Sequence, residues 1–512
     1  MSNPLYSLLA THADSDAVLF AGESGSDITY AAFFDTVARA AGVLVSQGVG
    51  AGDRVALQTV KSIDALAVYV ACAKIGAAFL PLNTAYTLRE TRFFLEDAGV
   101  TAFITSTERA ENLAAEGANE IRVSSLDASG SGSFCDAMPS AEPHLSVTAV
   151  TADDLGAILY TSGTTGRSKG AMLSQGNLES NTRVLVDYWQ FTADDCLLHA
   201  LPIYHTHGLF VACNVVMATG ASMIFQPSFD VDAVLQMLPQ ANTMMGVPTF
   251  YTRLLDDERF NVASTEHMRL FTSGSAPMLA ETHVQFEDRT GLRILERYGM
   301  TETGMLTSNP YASADGQRKP GTVGLPLPGV SLRIIDEQTG KEADNGSIGM
   351  IEVSGPNVFC GYWNLPEKTA EEFADDGFFI TGDLGFLDDD GYVTIVGRNK
   401  DLIISGGFNV YPKEVELLID EVDGIRESAV IGLPHADFGE AVTAVLVVED
   451  NVDNAAGEEP AVVGQIKSHL SSDLAKFKQP KQYVVLSELP RNAMGKVQKN
   501  RLREQFDSLY RG

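Results

Sequence analysis

The segment YTSGTTGRSKG, at positions 160–170, combines small hydroxyl side chains, three glycines and a lysine. Glycine lets the backbone adopt a positive φ and come close to a ligand. Hydroxyl and backbone N–H groups can donate hydrogen bonds to phosphate oxygens, and Lys169 adds a positive charge. The apolar run from Leu155 to Tyr160 predicts a buried strand before it. We therefore expect a phosphate-binding loop at the end of a strand.

The spacing of this segment excludes two common nucleotide motifs. A Walker A loop needs Gly-Lys followed by Ser or Thr, whereas here Ser168 precedes Lys169 and Gly170 follows it. A dinucleotide fingerprint is absent as well. The segment instead resembles the signature of adenylate-forming enzymes, which include acyl-CoA synthetases, luciferases and peptide-synthetase adenylation domains. The alternative is a Gly/Ser/Thr-rich surface loop. The resemblance implies that ATP is bound by Thr161, Ser162, Gly163, Thr164, Thr165, Gly166 and Lys169.

Size and composition predict a soluble protein of more than one domain. The chain has 512 residues, of which 45% are hydrophobic and 20% charged. We see no secretory signal and no membrane-spanning run, and the five cysteines lack metal-ligand spacing. These features favour a cytoplasmic location. The net charge of −31 argues against nucleic acid or an anionic membrane as a partner.

The order of patterns along the chain predicts an α/β fold. Helical and strand patterns alternate over the first 150 residues, which favours a mainly parallel sheet covered by helices. The segment from Ser124 to Ser146 is expected to be an irregular connection. We predict an N-terminal ATP- and acyl-binding domain at 1–399, with a β-rich subdomain at about 321–397. A small, mobile α+β domain is expected at 400–512. This is the adenylate-forming enzyme fold that the resemblance implies.

A second motif, RYGMTET at positions 297–303, follows an apolar segment. By resemblance, Tyr298 packs on adenine and Thr301 contacts the phosphates. Glu302 is expected to hold Mg²⁺, since this hard cation takes oxygen ligands. The alternative for Glu302 is an exposed carboxylate at a helix start.

Two further motifs precede the expected hinge. Asp383, in TGDL at 381–384, is predicted to lie on a turn, where its two oxygens suit the vicinal hydroxyls of ribose. The segment GRNKD at 397–401 resembles the hinge of the family. The resemblance implies that Arg398 contacts ribose and that Lys400 is the pivot.

The segment PRNAMGKV at 490–497 resembles the catalytic-lysine loop of the family. Lys496 is then expected to bridge the acyl carboxylate and the α-phosphate. The alternative is an ordinary solvated lysine. Because Lys496 lies far beyond the hinge, the C-terminal domain is expected to rotate between two half-reactions. Gly406 and Gly407 are expected to line the channel for the CoA thiol.

The acyl pocket carries the prediction of substrate. Arg297 stands where most relatives have a neutral or acidic residue, and a buried guanidinium is costly unless it is paired. A second carboxylate on the substrate would pair with it, although Glu296 or Glu302 is an alternative partner. His205 matches the gate beside the incoming thiol, and Ala276 faces adenine. The resemblance to malonyl-CoA synthetases implies malonate, with methylmalonate as a second substrate. The predicted acyl-binding residues are Arg297, Thr206, His207, Ser273 and Met305.

We therefore predict an AMP-forming acid–thiol ligase that uses ATP, Mg²⁺ and CoA, without a carrier protein in the same chain. One rival is a synthetase for another short mono- or dicarboxylic acid, or a carrier-loading or luciferase-like relative. From a different class, the rival is an inactive nucleotide-binding regulator. That interpretation needs a missing functional group, whereas Lys169, Glu302, Asp383, Arg398 and Lys496 are all present.

Overall fold

A computed structural model describes residues 3–22, 26–115, 121–161, 168–406, 408–435, 437–449, 461–492 and 495–510. Its strands are β1 (Val18–Phe20), β2 (Ile28–Thr29), β3 (Arg54–Gln58), β4 (Ala78–Pro81), β5 (Ala102–Thr105), β6 (Arg122–Ser125), β7 (Leu155–Thr161), β8 (Lys169–Ser174), β9 (Cys196–His199), β10 (Ser222–Phe225), β11 (Thr243–Gly246), β12 (Leu270–Ser273), β13 (Leu295–Met300), β14 (Gly304–Ser308), β15 (Leu325–Pro326), β16 (Ser331–Ile335), β17 (Gly349–Ser354), β18 (Phe379–Leu387), β19 (Val393–Arg398), β20 (Ile403–Ser405), β21 (Phe408–Val410), β22 (Ile425–His435), β23 (Gly439–Val448) and β24 (Gln482–Leu486).

The α-helices are α1 (Pro4–Leu9), α2 (Tyr30–Ser46), α3 (Ile63–Ile75), α4 (Leu88–Asp97), α5 (Thr107–Ala115), α6 (Ser133–Ala137), α7 (Gln175–Tyr188), α8 (Asn214–Thr219), α9 (Val231–Met237), α10 (Pro248–Leu255), α11 (Val262–Thr265), α12 (Ala280–Thr290), α13 (Pro366–Glu371), α14 (Pro412–Asp420), α15 (Ala461–Asp473) and α16 (Lys499–Phe506). Short 3₁₀ turns occur at Met138–Ser140, Leu238–Gln240, Ser313–Asp315 and Asn399–Asp401. A π-helical segment spans His207–Cys213.

The first two sheets carry the α/β character that the sequence predicts. One sheet has the order β6-β5-β3-β4-β7-β8, parallel except for the antiparallel pair β7 and β8. The other has the order β15-β14-β13-β12-β11-β9-β10-β1-β2, with a parallel centre. Parallel strands need helical crossovers, so both sheets are buried against helices. The α/β fold class is confirmed.

Helix α3 shows how the sequence encodes one of these crossovers. The Ser62 side chain accepts a hydrogen bond from the backbone N–H of Ala65, which caps the start of the helix. Gly76 ends it in the left-handed conformation at φ +74°, which favours glycine. Residues from Ala65 to Ile75 are all buried, so apolar side chains occupy every face.

Later in the chain the architecture changes to antiparallel sheets. Strands β16, β17, β18 and β19 form one antiparallel sheet in that order. The last sheet has the order β21-β20-β23-β22, with β24 parallel to β23. Apolar residues of α14 and α15 pack on one of its faces, and Leu489 and Leu502 pack on the other. The predicted domain boundary at 399/400 falls inside the 3₁₀ turn between β19 and β20.

One local expectation is wrong. The segment from Ser124 to Ser146 is not wholly irregular, because it contains α6 and the turn at Met138–Ser140. Phe134 is fully buried and anchors this short helix on the core. A helix of five residues is too short to show a periodic pattern, so composition alone misled the prediction. In the described residues, no helix combines the length and apolar character that a bilayer crossing requires.

Candidate active site

Arg297 lies in the interior of the protein, on β13. This strand runs parallel to β12, and Ser273, the last residue of β12, is aligned with Glu296. Arg297 therefore lies one position beyond the end of β12. The residue is only 2% exposed. A Cβ atom placed on Gly274 would lie 2.6 Å from Nη1 of Arg297, so the guanidinium rests directly against that backbone. Any side chain at position 274 would displace it.

Within the part of the chain that the structure describes, Nε and Nη2 of Arg297 have no hydrogen-bond partner. The two carboxylates considered from the sequence have other partners. Glu296 is bonded to Nε2 of His283 at 2.9 Å, and Glu302 accepts from the Tyr362 hydroxyl at 3.1 Å. Burial lowers the pKa of the Arg297 guanidinium to about 9, which still leaves it charged at neutral pH. No carboxylate among the described residues therefore pairs with this buried cation.

Among the described residues, four more buried polar atoms lack hydrogen-bond partners. They are Oγ1 of Thr206 and Nε2 of His207, which are consecutive residues, and Oγ1 of Thr272 and Oγ of Ser273, on the strand that pairs with β13. Burial, and then the charge of Arg297, pushes the pKa of His207 well below its usual range, so its imidazole is neutral. Each unsatisfied buried polar group costs about 1–3 kcal/mol. Such a cluster beside a buried cation is typical of a site built for a small anion.

The loop after Ser273 is strained. Ser275 adopts φ +71°, a left-handed conformation that is unfavourable for residues other than glycine. Its hydroxyl lies 3.4 Å from Nδ1 of His207, so the strain places one more polar group beside the pocket. Ala276, which the sequence assigns to adenine, follows directly in the same loop and is half-buried.

Tyr298, Asp383 and Arg398 form a second cluster. The Tyr298 hydroxyl donates to Oδ2 of Asp383 at 2.5 Å, and Nε of Arg398 lies 2.7 Å from Oδ1. Asp383 is not on a turn, as the sequence suggested, but inside β18, where it aligns with Arg398 of β19. Gly382 has φ +72°, so the backbone changes direction there while the strand continues. The structure thus brings these three motif residues together.

Glu302 lies in a third cluster, which includes two residues, Tyr362 and Glu372, that no motif indicated. Its carboxylate accepts from the hydroxyls of Tyr362 at 3.1 Å and Thr161 at 3.4 Å. The Tyr362 hydroxyl also lies 2.7 Å from Glu372, so its single proton is shared between the two carboxylates. Lys169 donates to the other oxygen of Glu372 at 2.7 Å and lies 4.0 Å from the Tyr362 ring centre. Glu302 is buried, not exposed at a helix start, and burial raises its pKa.

The loop of Lys496 reaches the N-terminal part of the protein. A Cβ atom on Gly495 would lie 3.1 Å from the hydroxyl of Thr249, at the start of α10. Asn492 closes the loop, because its backbone N–H donates to the Lys496 carbonyl at 2.9 Å and its side chain accepts from the Lys496 N–H at 2.9 Å. Residues 493 and 494 lie outside the described ranges.

The Lys496 side chain lies among the charges of the second cluster and the hinge. Its pKa is lowered to about 8, by burial and then by repulsion from Arg398. Part of the residue remains exposed to solvent. Lys400 lies in the 3₁₀ turn Asn399–Asp401, and Asp401 pairs with Arg503 at 2.5 Å. The structure therefore places Lys496 close to Asp383 and Arg398.

The remaining predicted residues surround these clusters. His205 lies 4.8 Å from the Tyr204 ring, and burial lowers its pKa to about 4. Met305 is buried on β14, and a Cβ on Gly299 would lie 2.8 Å from its Cε. Thr301 lies in the turn between β13 and β14. Gly406 has φ +61° at the end of β20. The predicted site residues Ser162, Gly163, Thr164, Thr165, Gly166 and Gly407 lie outside the described residues.

The sequence interpretation missed Tyr362, Glu372 and Thr272. Glu372 is 203 positions from its partner Lys169, and no local pattern marks a contact over that distance. Thr272 immediately precedes the segment from Ser273 to Pro277, in which the sequence analysis looked for pocket residues. Among the described residues, no group of three or more His, Cys, Asp and Glu side chains forms a metal-binding cluster.

Comparisons with known proteins show the family of the chain. Residues 8–363 match the family described as AMP-binding enzyme, and residues 414–496 match the AMP-binding enzyme C-terminal domain. A malonate–CoA ligase from Arabidopsis thaliana is 37% identical over 70% of this chain, which spans only 61% of that relative's length. A feruloyl-CoA synthase from an Amycolatopsis species is 36% identical, with 94% of each chain covered.

Comparisons with solved structures match the chain over its full length. The ATP-bound crystal structure of MatB from Rhodopseudomonas palustris is 54% identical, covers 100% of both chains and superposes with a TM-score of 0.95. The apo structure of the same protein, with the same coverage, gives 0.84. The fold described above is thus more similar to the ATP-bound form. On these grounds the chain belongs to the AMP-binding enzyme family.

Proposed function

We propose that this protein is a malonyl-CoA synthetase, which ligates malonate to CoA at the expense of ATP and releases AMP and pyrophosphate. The observation that carries the proposal is the buried Arg297 guanidinium, whose Nε and Nη2 have no partner among the described residues. The malonate–CoA ligase and MatB similarities support the same substrate class. Methylmalonate is the second substrate to test.

In this proposal the far carboxylate of malonate binds Arg297. A guanidinium offers two parallel N–H groups to a carboxylate, which makes the pair directional as well as strong. The hydroxyl of Ser273 and Nε2 of the neutral His207 can donate further hydrogen bonds to the same group. Thr206 and Met305 complete the acyl pocket. A monocarboxylic acid leaves the cation unpaired and is therefore disfavoured.

The near carboxylate is activated on ATP. One of its oxygens forms a bond to the α-phosphorus while the bond to the pyrophosphate oxygen breaks. Lys496 neutralises the charge that develops between the two groups. ATP is held by Thr161, Lys169, the loop 162–166, Ala276, Tyr298, Thr301, Asp383 and Arg398. The CoA thiol then attacks the acyl carbon beside His205 and along Gly406 and Gly407, and AMP leaves.

Glu302 fits the role of the Mg²⁺ ligand. Its carboxylate is buried and lies beside Lys169 of the phosphate-loop region. Mg²⁺ usually takes one or two protein carboxylates together with phosphate oxygens, so a single such residue suffices. When bound, the ion would offset phosphate charge.

A substitution at the hinge is expected to separate the two half-reactions. Replacing Lys400 with proline fixes φ near −65° in the turn Asn399–Asp401 and restricts rotation there. Because Lys496 lies close to Asp383 and Arg398, the proposed ribose contacts, Lys400→Pro should form adenylate at a near-normal rate and lose thioester formation. Pyrophosphate release and malonyl-CoA formation, measured separately, check this. Equal loss of both would contradict the rotation, and Lys400→Ala controls for removing the amine.

The pH profile is expected to follow the charge of Lys496. Because its pKa is lowered, the ammonium is present below about pH 8 and is lost as the pH rises through that value. Malonate and ATP are fully ionised by then, so kcat/KM for adenylate formation should fall on the alkaline side. In Lys496→Arg the residual activity should stay flat to higher pH. A wild-type profile that is flat to pH 10 would exclude this assignment.

The proposed function is tested by a pyrophosphate-release assay across mono- and dicarboxylic acids of two to six carbons, with and without CoA. We expect malonate to be the best substrate and CoA to be required for thioester product. A preference for another acid would support the rival synthetase. No release with any acid would support the inactive regulator, although Lys169, Glu302 and Lys496 speak against it.

A further inference from the structure

A chain of buried hydrogen bonds lies behind the acyl pocket. The amine of Lys61 lies 2.7 Å from Nδ1 of His199 and donates to the His199 carbonyl at 2.8 Å. On the other side of the ring, Nε2 of His199 lies 2.8 Å from the carbonyl oxygen of Gly208. His199 is 1% exposed, and Lys61 also packs 4.1 Å from the centre of the Phe225 ring. No sequence motif marked either residue.

This geometry fixes where the imidazole carries its proton. A carbonyl oxygen can only accept, so Nε2 of His199 must donate to Gly208. Burial, and then the charge of Lys61, pushes the pKa of His199 well below its usual range, so the ring is neutral and Nδ1 has a free lone pair. Lys61 has N–H bonds to offer Nδ1 whether or not it is protonated. It therefore stabilises one tautomer of the ring.

The Gly208 carbonyl links this network to the pocket. Gly208 is the second residue of the π-helical segment His207–Cys213, directly after Thr206 and His207. Cys213 donates to the same carbonyl at 3.2 Å. A Cβ on Gly208 would lie 2.1 Å from the Pro202 carbonyl oxygen, so this turn is held against the neighbouring backbone. π-Helical turns are rare and depend on such contacts.

We propose that Lys61 and His199 are positioning residues for dicarboxylate recognition. Lys61 holds the His199 imidazole in the Nε2–H tautomer, and that proton anchors the Gly208 carbonyl. The anchored turn keeps the unpaired polar atoms of Thr206 and His207 turned toward Arg297. Neither positioning residue touches the substrate. This inference rests on the proposed malonate specificity, because its readout is the preference for a diacid over a monoacid.

The test compares two substitutions that each keep one side of the ring. In His199→Gln the side-chain NH₂ reaches the position of Nε2 and can still donate to Gly208. In His199→Asn the shorter side chain reaches only the position of Nδ1, so Gly208 loses its donor. We expect His199→Asn and Lys61→Met to lower the ratio of kcat/KM for malonate to that for butyrate by about threefold to tenfold, as for one neutral hydrogen bond. His199→Gln should keep most of the ratio. Lys61→Met should add nothing in the His199→Gln background, since no tautomer remains to be set.

Lys74→Met is the matched control, because Lys74 is a buried lysine that donates to the Tyr6 hydroxyl at 3.0 Å, away from the pocket. It should leave the ratio unchanged. A ratio unchanged in Lys61→Met and His199→Asn, with a wild type that prefers malonate, overturns the inference alone. A wild type without that preference overturns the proposed function instead.

A second measurement reports the tautomer directly and does not depend on catalytic activity. The ¹⁵N chemical shifts of the imidazole distinguish its tautomers, and His199→Gln identifies the His199 signals by their loss. The wild type should show the Nε2–H form, and Lys61→Met should show a shift toward Nδ1–H. A wild-type ring in the Nδ1–H form, or a tautomer unaffected by Lys61→Met, contradicts the proposal.

Discussion

Arg297→Gln is expected to abolish the use of malonate while activation of acetate or butyrate survives. The loss should amount to about 30-fold to several thousandfold in kcat/KM for malonate, since removing one partner of a buried, hydrogen-bonded charge pair costs about 2–5 kcal/mol. The monoacids have no far carboxylate, so they lose nothing when the cation is removed. Steady-state kinetics with each acid, at saturating ATP and CoA, measures the difference.

Two controls separate recognition from folding. Arg297→Lys keeps a charge but not the two-pronged geometry, so it should fall between the wild type and Arg297→Gln. Arg183→Gln removes an exposed arginine that is paired only with Glu179 on the same helix, and it should change nothing. Because the buried guanidinium lacks a carboxylate partner, Arg297→Gln should not lower the melting temperature of the free enzyme. Unchanged malonate kinetics would refute the role of Arg297.

Lys496→Ala is expected to reduce adenylate formation by about 100- to 1,000-fold, the usual effect of removing one donor that stabilises a transition state. The second half-reaction, thioester formation from a synthetic acyl adenylate, should be unchanged, because it does not use this ammonium. Pyrophosphate–ATP exchange measures the first step, and CoA thioester formation from the adenylate measures the second.

The control for this variant is Lys476→Ala, which removes an exposed lysine from the same part of the chain. It should leave both steps unchanged. Equal loss of both steps in Lys496→Ala would show that the loop has a structural role. Retention of adenylate formation would remove Lys496 from the chemistry.

Most of the architecture could be predicted from the sequence because its signals are local. The bounds of helix α3 are encoded locally, since a capping serine precedes it and Gly76 ends it. The strand predicted from Leu155 to Tyr160 is confirmed and extends one residue further, to Thr161. The failures are places where a local pattern is ambiguous, such as Gly382, which bends β18 but looks like a turn in sequence.

The candidate site was only partly predictable because some of its contacts join distant segments. Motifs located Arg297, Glu302, Asp383 and Arg398, but they did not show which carboxylates were already engaged. Glu296 pairs with His283 and not with Arg297, and this choice of partner is set by the packing of distant segments. The Glu372 and Tyr362 contacts, and the network of Lys61 and His199, likewise become visible only in three dimensions.

The ion pair between Lys169 and Glu372 bears on how a nucleotide enters and leaves. The lysine has a counterion within the protein at 2.7 Å. If Lys169 binds the triphosphate, as the proposed function holds, the triphosphate must replace that carboxylate, and the exchange takes back part of the attraction that it gains. When pyrophosphate departs, the carboxylate can return to the lysine. Under the proposed function, the acidic residue would therefore weaken product retention as well as binding, and favour turnover over tight capture.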